Sequence, residues 1–109
     1  MTRSDILDKA KECVCGQREQ DYGSPESNFG LIADLWSVYL GFDISPVDVA
    51  MMMIMLKTAR IKNGGGTGDS FVDIAGYSAC AGEINSMSEP EAVRINGEPV
   101  FRMRGDENV

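Results

Sequence analysis

The chain contains no histidine. That excludes a Ser-His-Asp triad and an ordinary histidine general base. Hydrolytic chemistry here has to run on carboxylates with a metal, or on a water held by other groups. Cysteine is scarce and odd in number: Cys13, Cys15 and Cys80. Three thiols do not make a disulfide framework. Cys13-x-Cys15 lacks the second paired element that a four-ligand zinc site uses, so the cysteines read as small buried or half-buried thiols. Basic charge is also short. Ten Lys and Arg face 17 Asp and Glu, a net charge of −7. A uniformly acidic surface repels duplex nucleic acid, whose affinity rests on phosphate contacts, yet it leaves room for a small, locally basic pocket. Long apolar runs are missing too. The longest, Val49 to Leu56, falls well short of the roughly 18 residues a membrane span needs. No basic-then-apolar leader opens the chain, and the expected location is the cytoplasm.

What is present suits one small helical domain. At 109 residues, 43% apolar and 25% charged, the composition is ordinary for a globular protein, but the core it can build is modest. A first helix is expected over about Asp5 to Cys15, capped by Ser4, carrying Ile6, Leu7, Ala10 and Val14 at helical spacing, and stopped by Gly16. Ser24-Pro25 opens a second helix, with Phe29, Ile32, Ala33, Trp36, Tyr39 and Leu40 on one face and Gly41 at its end. Ser45-Pro46-Val47-Asp48 opens a third, which runs from Val49 to Ile61. This third helix is apolar nearly all round as far as Lys57. Such a helix needs cover on several sides, and one short chain has little to offer. Self-association follows as the expectation. Asn63 to Gly68 reads as a glycine-rich connector or a lid, without the Lys-Ser/Thr ending of a P-loop. A fourth helix is expected over about Asp69 to Ser86, its Ala75, Gly76, Ala79, Ala81 and Gly82 permitting close helix packing. The division is then 1–88 as a bundle domain and 89–109 as a tail. In the tail, Ala92–Ile95 and Val100–Met103 flank Asn96-Gly97, a β-hairpin signal, with Pro99 placing it at an edge.

Three groups of residues are candidates for chemistry. The first is Arg18 with Glu19, Asp21, Tyr22 and Gly23. The second is Lys57 with Arg60, three apart on one side of the third helix. The third is Asp69, Asp73 and Tyr77, spaced by four. Lys57 ends a long apolar run and calls for an anionic partner, and Asp73 sits between Val72 and Ile74 and calls for a cationic one. Two accounts are open. Lys57 or Arg60 pairs with Asp73 inside the bundle, which carries no functional message. Alternatively, the cations face a phosphate while Asp69 and Asp73 hold a divalent metal such as magnesium or orient the ligand. Tyr22, Trp36, Tyr39, Phe71 and Tyr77 are the aromatic residues available for stacking on a base, although Trp36 and Phe71 read first as core.

The segments Arg18 to Pro25 with Asn28-Phe29 and Trp36, Asp48 to Met52, Leu56 to Ile61, and Asp69 to Tyr77 resemble an uncharacterised family of small phage and prophage proteins, over roughly residues 5 to 85. More distantly, the same order of features is similar to the nucleotide-modification-associated domains and, through them, to the MazG-like all-α NTP pyrophosphohydrolases. That similarity implies a mainly all-α four-helix bundle of MazG-like type, an oligomer, a nucleotide site between helices, and magnesium-assisted release of pyrophosphate. The chain departs from it in one respect. MazG-like enzymes pair Glu-x-x-Glu on one helix with Glu-x-x-Asp on the next, and no Glu-x-x-Glu occurs here. Asp69-x-x-x-Asp73 supplies at most part of the second element, and Asp34 and Asp48 lack the paired spacing of the first.

The resemblance therefore points to a phage-type nucleotide-binding protein in an infected or lysogenic bacterial host. Arg18, Lys57 and Arg60 would engage phosphate, Asp69 and Asp73 would bind metal or orient the cations, and Tyr22 or Tyr77 would meet the base or ribose. One branch is a magnesium-dependent nucleotide pyrophosphohydrolase. The other is an anti-defence sponge that captures a linear or cyclic nucleotide immune signal without turning it over, and the missing carboxylates favour it. The alternative is a structural or protein-interaction bundle with no ligand.

Overall fold

The computed structural model describes residues 1–16, 23–64 and 68–88, together with the paired segments 94–95 and 98–99. Four helices make up the described chain: α1 (Arg3–Cys15), α2 (Pro25–Leu40), α3 (Pro46–Lys62) and α4 (Gly68–Ser88). None of the described helices is long and apolar enough to cross a membrane.

The helix starts follow local side-chain chemistry. At α3, the Ser45 hydroxyl accepts the Asp48 N–H at 3.0 Å and the Asp48 carboxylate accepts the Ser45 N–H at 2.9 Å, with Pro46 in the first turn. This reciprocal arrangement satisfies two of the otherwise unpaired N–H groups. Ser24 caps α2 through the Ser27 N–H, and Gly41 ends it in the left-handed region at φ 80°, where an L side chain would be strained. The cap of α1 is Thr2 rather than Ser4. Asp5 stands three residues after Thr2 and can reciprocate, whereas Leu7 stands three after Ser4 and cannot.

α4 is the centre of the bundle. It packs along α3 most extensively and against α1 on another side, while α2 leans chiefly on α3 and only lightly on α4. The turn between α2 and α3 is fixed by Ser37, whose hydroxyl accepts the Ile44 N–H at 2.7 Å and donates to the Ala33 carbonyl at 2.7 Å. The buried apolar residues are small: Ala10 from α1, Ala33 from α2, Val49 and Ala50 from α3, and Val72, Cys80, Ala81 and Ile84 from α4. Gly76 is buried where α1 meets α4, and a Cβ there would lie 3.2 Å from Val14 Cγ1. The small residues of α4 do let a neighbour approach at this point.

Several core expectations are corrected. Leu7, Tyr39, Leu40 and Phe71 are exposed. α3 is covered less than its composition demands: Met51 to Ile54 are half-buried, and Met55 and Leu56 are exposed. α2 carries its apolar residues on two stripes, and only one faces the bundle. In the tail, Arg94–Ile95 and Glu98–Pro99 pair antiparallel, Arg94 opposite Pro99 and Ile95 opposite Glu98. The expected second strand began at Val100. That segment, the Asn96-Gly97 turn and the packing of the tail lie outside the described residues.

Candidate functional site

A cleft of about 530 Å³ opens where α1, α2, α3 and α4 converge. Each helix contributes by its register. α1 supplies Cys13 and Val14 from its last turn. α2 supplies Pro25, Asn28, Phe29, Leu31 and Ile32 from its first half, with Gly23 just before. α3 supplies Met53 and Lys57, one turn apart. α4 supplies Val72, Asp73, Gly76, Tyr77 and Cys80, the face that the i, i+4 rhythm keeps together.

The charged centre of the cleft is an ion pair. Lys57 Nζ lies 3.0 Å from Asp73 Oδ2, with the lysine side chain 15% exposed and the aspartate 39% exposed. The lysine arises from a helix surface that has been apolar for two turns, so its stem is covered while its ammonium reaches the cleft. Beside the pair stand two rings. Phe29 and Tyr77 have centroids 6.1 Å apart and planes inclined at 41°, a tilted geometry favoured by aromatic quadrupoles. Asn28 adds an amide. It is within a long 3.5 Å of the Gly23 carbonyl.

The geometry brings together three of the residues singled out from the sequence: Lys57, Asp73 and Tyr77. It sets Arg60 apart. Arg60 is exposed and borders a separate shallow depression with Leu56, Ala59, Lys62 and Asn63. Asp69 is exposed and is not among the cleft's lining residues. Arg18 and Tyr22 lie outside the described residues. Phe29, Asn28 and the two thiols of Cys13 and Cys80 were not anticipated as cleft residues. Phe29 had read only as core. The available signal was its place in the Asn28-Phe29 element.

Among the described residues, no three His, Cys, Asp or Glu side chains converge on one point. Asp73 is already engaged by Lys57, and Asp69 does not share the cleft. A magnesium ion wants near-octahedral oxygen ligands, commonly one or two carboxylates plus substrate phosphates. The described residues do not assemble that set.

Residues 5–85 match the model of a domain of unknown function, DUF6378. The chain belongs to the DUF6378 family. It is 45% identical over 94 residues to the Gene 55 protein of Mycobacterium phage D29, a match covering 86% of this chain and 58% of that protein. It is 48% identical over 95 residues to the Gene 55 protein of Mycobacterium phage L5, covering 86% of this chain and 59% of that protein. The chain thus spans about three-fifths of these relatives' length. No solved structure matches the chain. The Lys57–Asp73 pair and both cleft rings fall within the family segment, and these comparisons identify a phage protein.

Proposed function

We propose that this phage protein binds a nucleotide in the four-helix cleft and holds it without turning it over. One observation carries the reading: a half-buried ammonium, Lys57, shares the cleft with two aromatic rings, Phe29 and Tyr77. A phosphate needs the first and a base uses the second. The cleft volume of about 530 Å³ falls in the range of roughly 300–1,000 Å³ typical of small-molecule sites.

In this reading the phosphate displaces Asp73 from Lys57. The exchange trades one anion for another, so the ammonium never loses its partner. Asp73, the more exposed member, turns to water or accepts from the ligand's ribose hydroxyls or exocyclic amine. Tyr77 stacks on the base. Arg18 and Tyr22 enter the proposal on sequence grounds alone. The architecture is MazG-like and the working unit is a homo-oligomer. Sequestration of a linear or cyclic nucleotide immune signal of the host cell is favoured over magnesium-dependent pyrophosphate release, because no carboxylate cluster forms among the described residues.

A second reading has its own observation. Lys57 and Asp73 already satisfy each other, as they would in a protein-interaction bundle without a ligand. One experiment separates the readings. The purified protein is incubated with a panel of linear and cyclic nucleotides plus magnesium, and each species is quantified by mass spectrometry before and after heat denaturation. A nucleotide that leaves the free fraction and returns intact on heating supports sequestration. Conversion to monophosphate and pyrophosphate establishes the enzyme. A panel that stays free and unchanged removes both and leaves the interaction bundle.

A further inference from the structure

α2 carries a second apolar stripe that stays exposed, with no cover among the described residues. Leu31, Leu35, Val38 and Tyr39 are 62%, 60%, 83% and 89% exposed. At about 100° per residue these four fall within an arc about 100° wide. The adjoining arc holds Phe29, Ile32, Ala33 and Trp36, which are buried or half-buried. A helix with two apolar stripes is built to be covered from two sides.

We infer that the outer stripe of α2 seats the same stripe of a second copy of this chain, forming an isologous dimer. Area supports this occupant first. The four side chains expose roughly 500 Å² between them. That is more than half of the ~800 Å² per partner in a stable interface, before any rim residue is counted. Charge is the second argument. α2 has no basic residue, and its acidic ones are Glu26 and Asp34. The stripe's centre is neutral, so it offers nothing for an oppositely charged partner to read. When two copies meet, Asp34 falls at the edge, where water and salt screen it. The third argument is the core. Among the described residues the buried apolar set contains none larger than Ile84, and a second copy supplies large side chains at fixed stoichiometry.

Leu31 belongs both to this stripe and to the cleft lining. The proposed contact therefore reaches the cleft at Leu31. The contact itself needs no ligand and stands whether or not the cleft binds a nucleotide.

Sedimentation equilibrium of the full chain tests it, with circular dichroism as a check on folding. The wild type is expected at twice 11.8 kDa. Leu35→Glu with Val38→Glu is expected at the monomer mass with helicity kept, since both positions are solvent-facing within one copy. If that pair loses helicity, Leu35→Ala with Val38→Ala decides. It is expected to keep the fold and to raise the dimer dissociation constant at least about 100-fold. A wild type that sediments as a monomer at ~100 µM, well above the dissociation constants of stable dimers, overturns the proposal and frees the face for another protein. A folded alanine variant that dimerises as well as wild type overturns it equally, by placing the contact elsewhere.

Discussion

Lys57 and Asp73 meet at 3.0 Å across the α3–α4 interface, and the lysine is the more enclosed of the two. The asymmetry predicts an order of effects. Asp73→Ala strands a half-buried ammonium, whereas Lys57→Met keeps the packed stem and leaves a carboxylate that solvent can reach. Asp73→Ala is expected to cost about 2 kcal/mol and Lys57→Met under about 1 kcal/mol, both well below a fully buried pair because Asp73 is partly solvated. Urea unfolding measures both. The opposite order would mean that Asp73 is the enclosed partner. In the nucleotide panel, Lys57→Met is expected to abolish retention while remaining folded. If it folds and retains nucleotide as well as wild type, Lys57 is not the phosphate contact.

Tyr77 and Phe29 give a second separation of stability from binding. Tyr77→Phe keeps the tilted ring contact and is expected to change stability by less than about 0.5 kcal/mol. Tyr77→Ala removes a half-buried ring, at a cost of about 2 kcal/mol. If the ring stacks on a base, Tyr77→Phe retains nucleotide and Tyr77→Ala does not. A Tyr77→Phe protein that is stable but empty would shift the contact from the ring to the hydroxyl.

The helix ends were readable because caps are local. Ser24-Pro25 and Ser45-Pro46 with Asp48 state their own geometry within four residues. The Lys57–Asp73 pair was readable because each charge stands alone in an apolar stretch and has few places to go. The orientation of α2 was not readable. Its apolar residues run over more than half of the helix circumference, so no periodicity says which part faces the bundle, and Tyr39 and Leu40 turn outward with Leu31, Leu35 and Val38. The separation of Arg60 from Lys57 has a related cause. Three residues beyond Lys57 it is nearly a full turn on and about 60° round, enough to leave the cleft. Phe29 was visible only as an apolar residue, because its ring contact with Tyr77 depends on how α2 meets α4.

The α3 cap offers a measurement that is independent of any ligand. Ser45→Ala removes the acceptor for the Asp48 N–H and half of the reciprocal pair. The expected loss is about 1 kcal/mol. Ser45→Asp should recover most of it, since aspartate caps as well as serine. Equal urea midpoints for Ser45→Ala and wild type would show that the α2–α3 turn, held by Ser37, starts the helix unaided.

At the start of α1, pH is the handle. The Thr2 backbone N–H donates to the Asp5 carboxylate at 3.0 Å, and with the Thr2 side chain it holds that carboxyl below its ordinary 3.8. A depressed folded pKa means the cap's contribution is complete above about pH 4, the unfolded value. It is lost as pH falls through the lower folded value. Amide exchange or chemical shifts in the first turn of α1 should show fraying only below that point. Fraying with a midpoint at or above 3.8 would mean that Thr2 does not stabilise the charged form. Asp5→Asn should fray the turn at all pH values.

Gly76 tests whether α1 and the cleft are mechanically linked. Alanine at this position gains helix propensity of up to about 1 kcal/mol. Its Cβ would sit 3.2 Å from Val14 Cγ1, so Val14 has to give by a few tenths of an ångström. Val14 lines the cleft, and a side chain beside open volume can move into it. Gly76→Ala is therefore expected to be neutral or slightly stabilising, while under the nucleotide proposal the narrowed cleft retains less nucleotide in the panel. Val14→Ala in the same chain should restore the binding. Gly76→Leu exceeds what Val14 can yield and should destabilise by about 2 kcal/mol or more, with loss of α1 packing seen as rapid amide exchange across Arg3–Cys15. If Gly76→Ala instead destabilises as much as Gly76→Leu, Val14 is locked in place, and α1 is a rigid wall of the cleft rather than a yielding one.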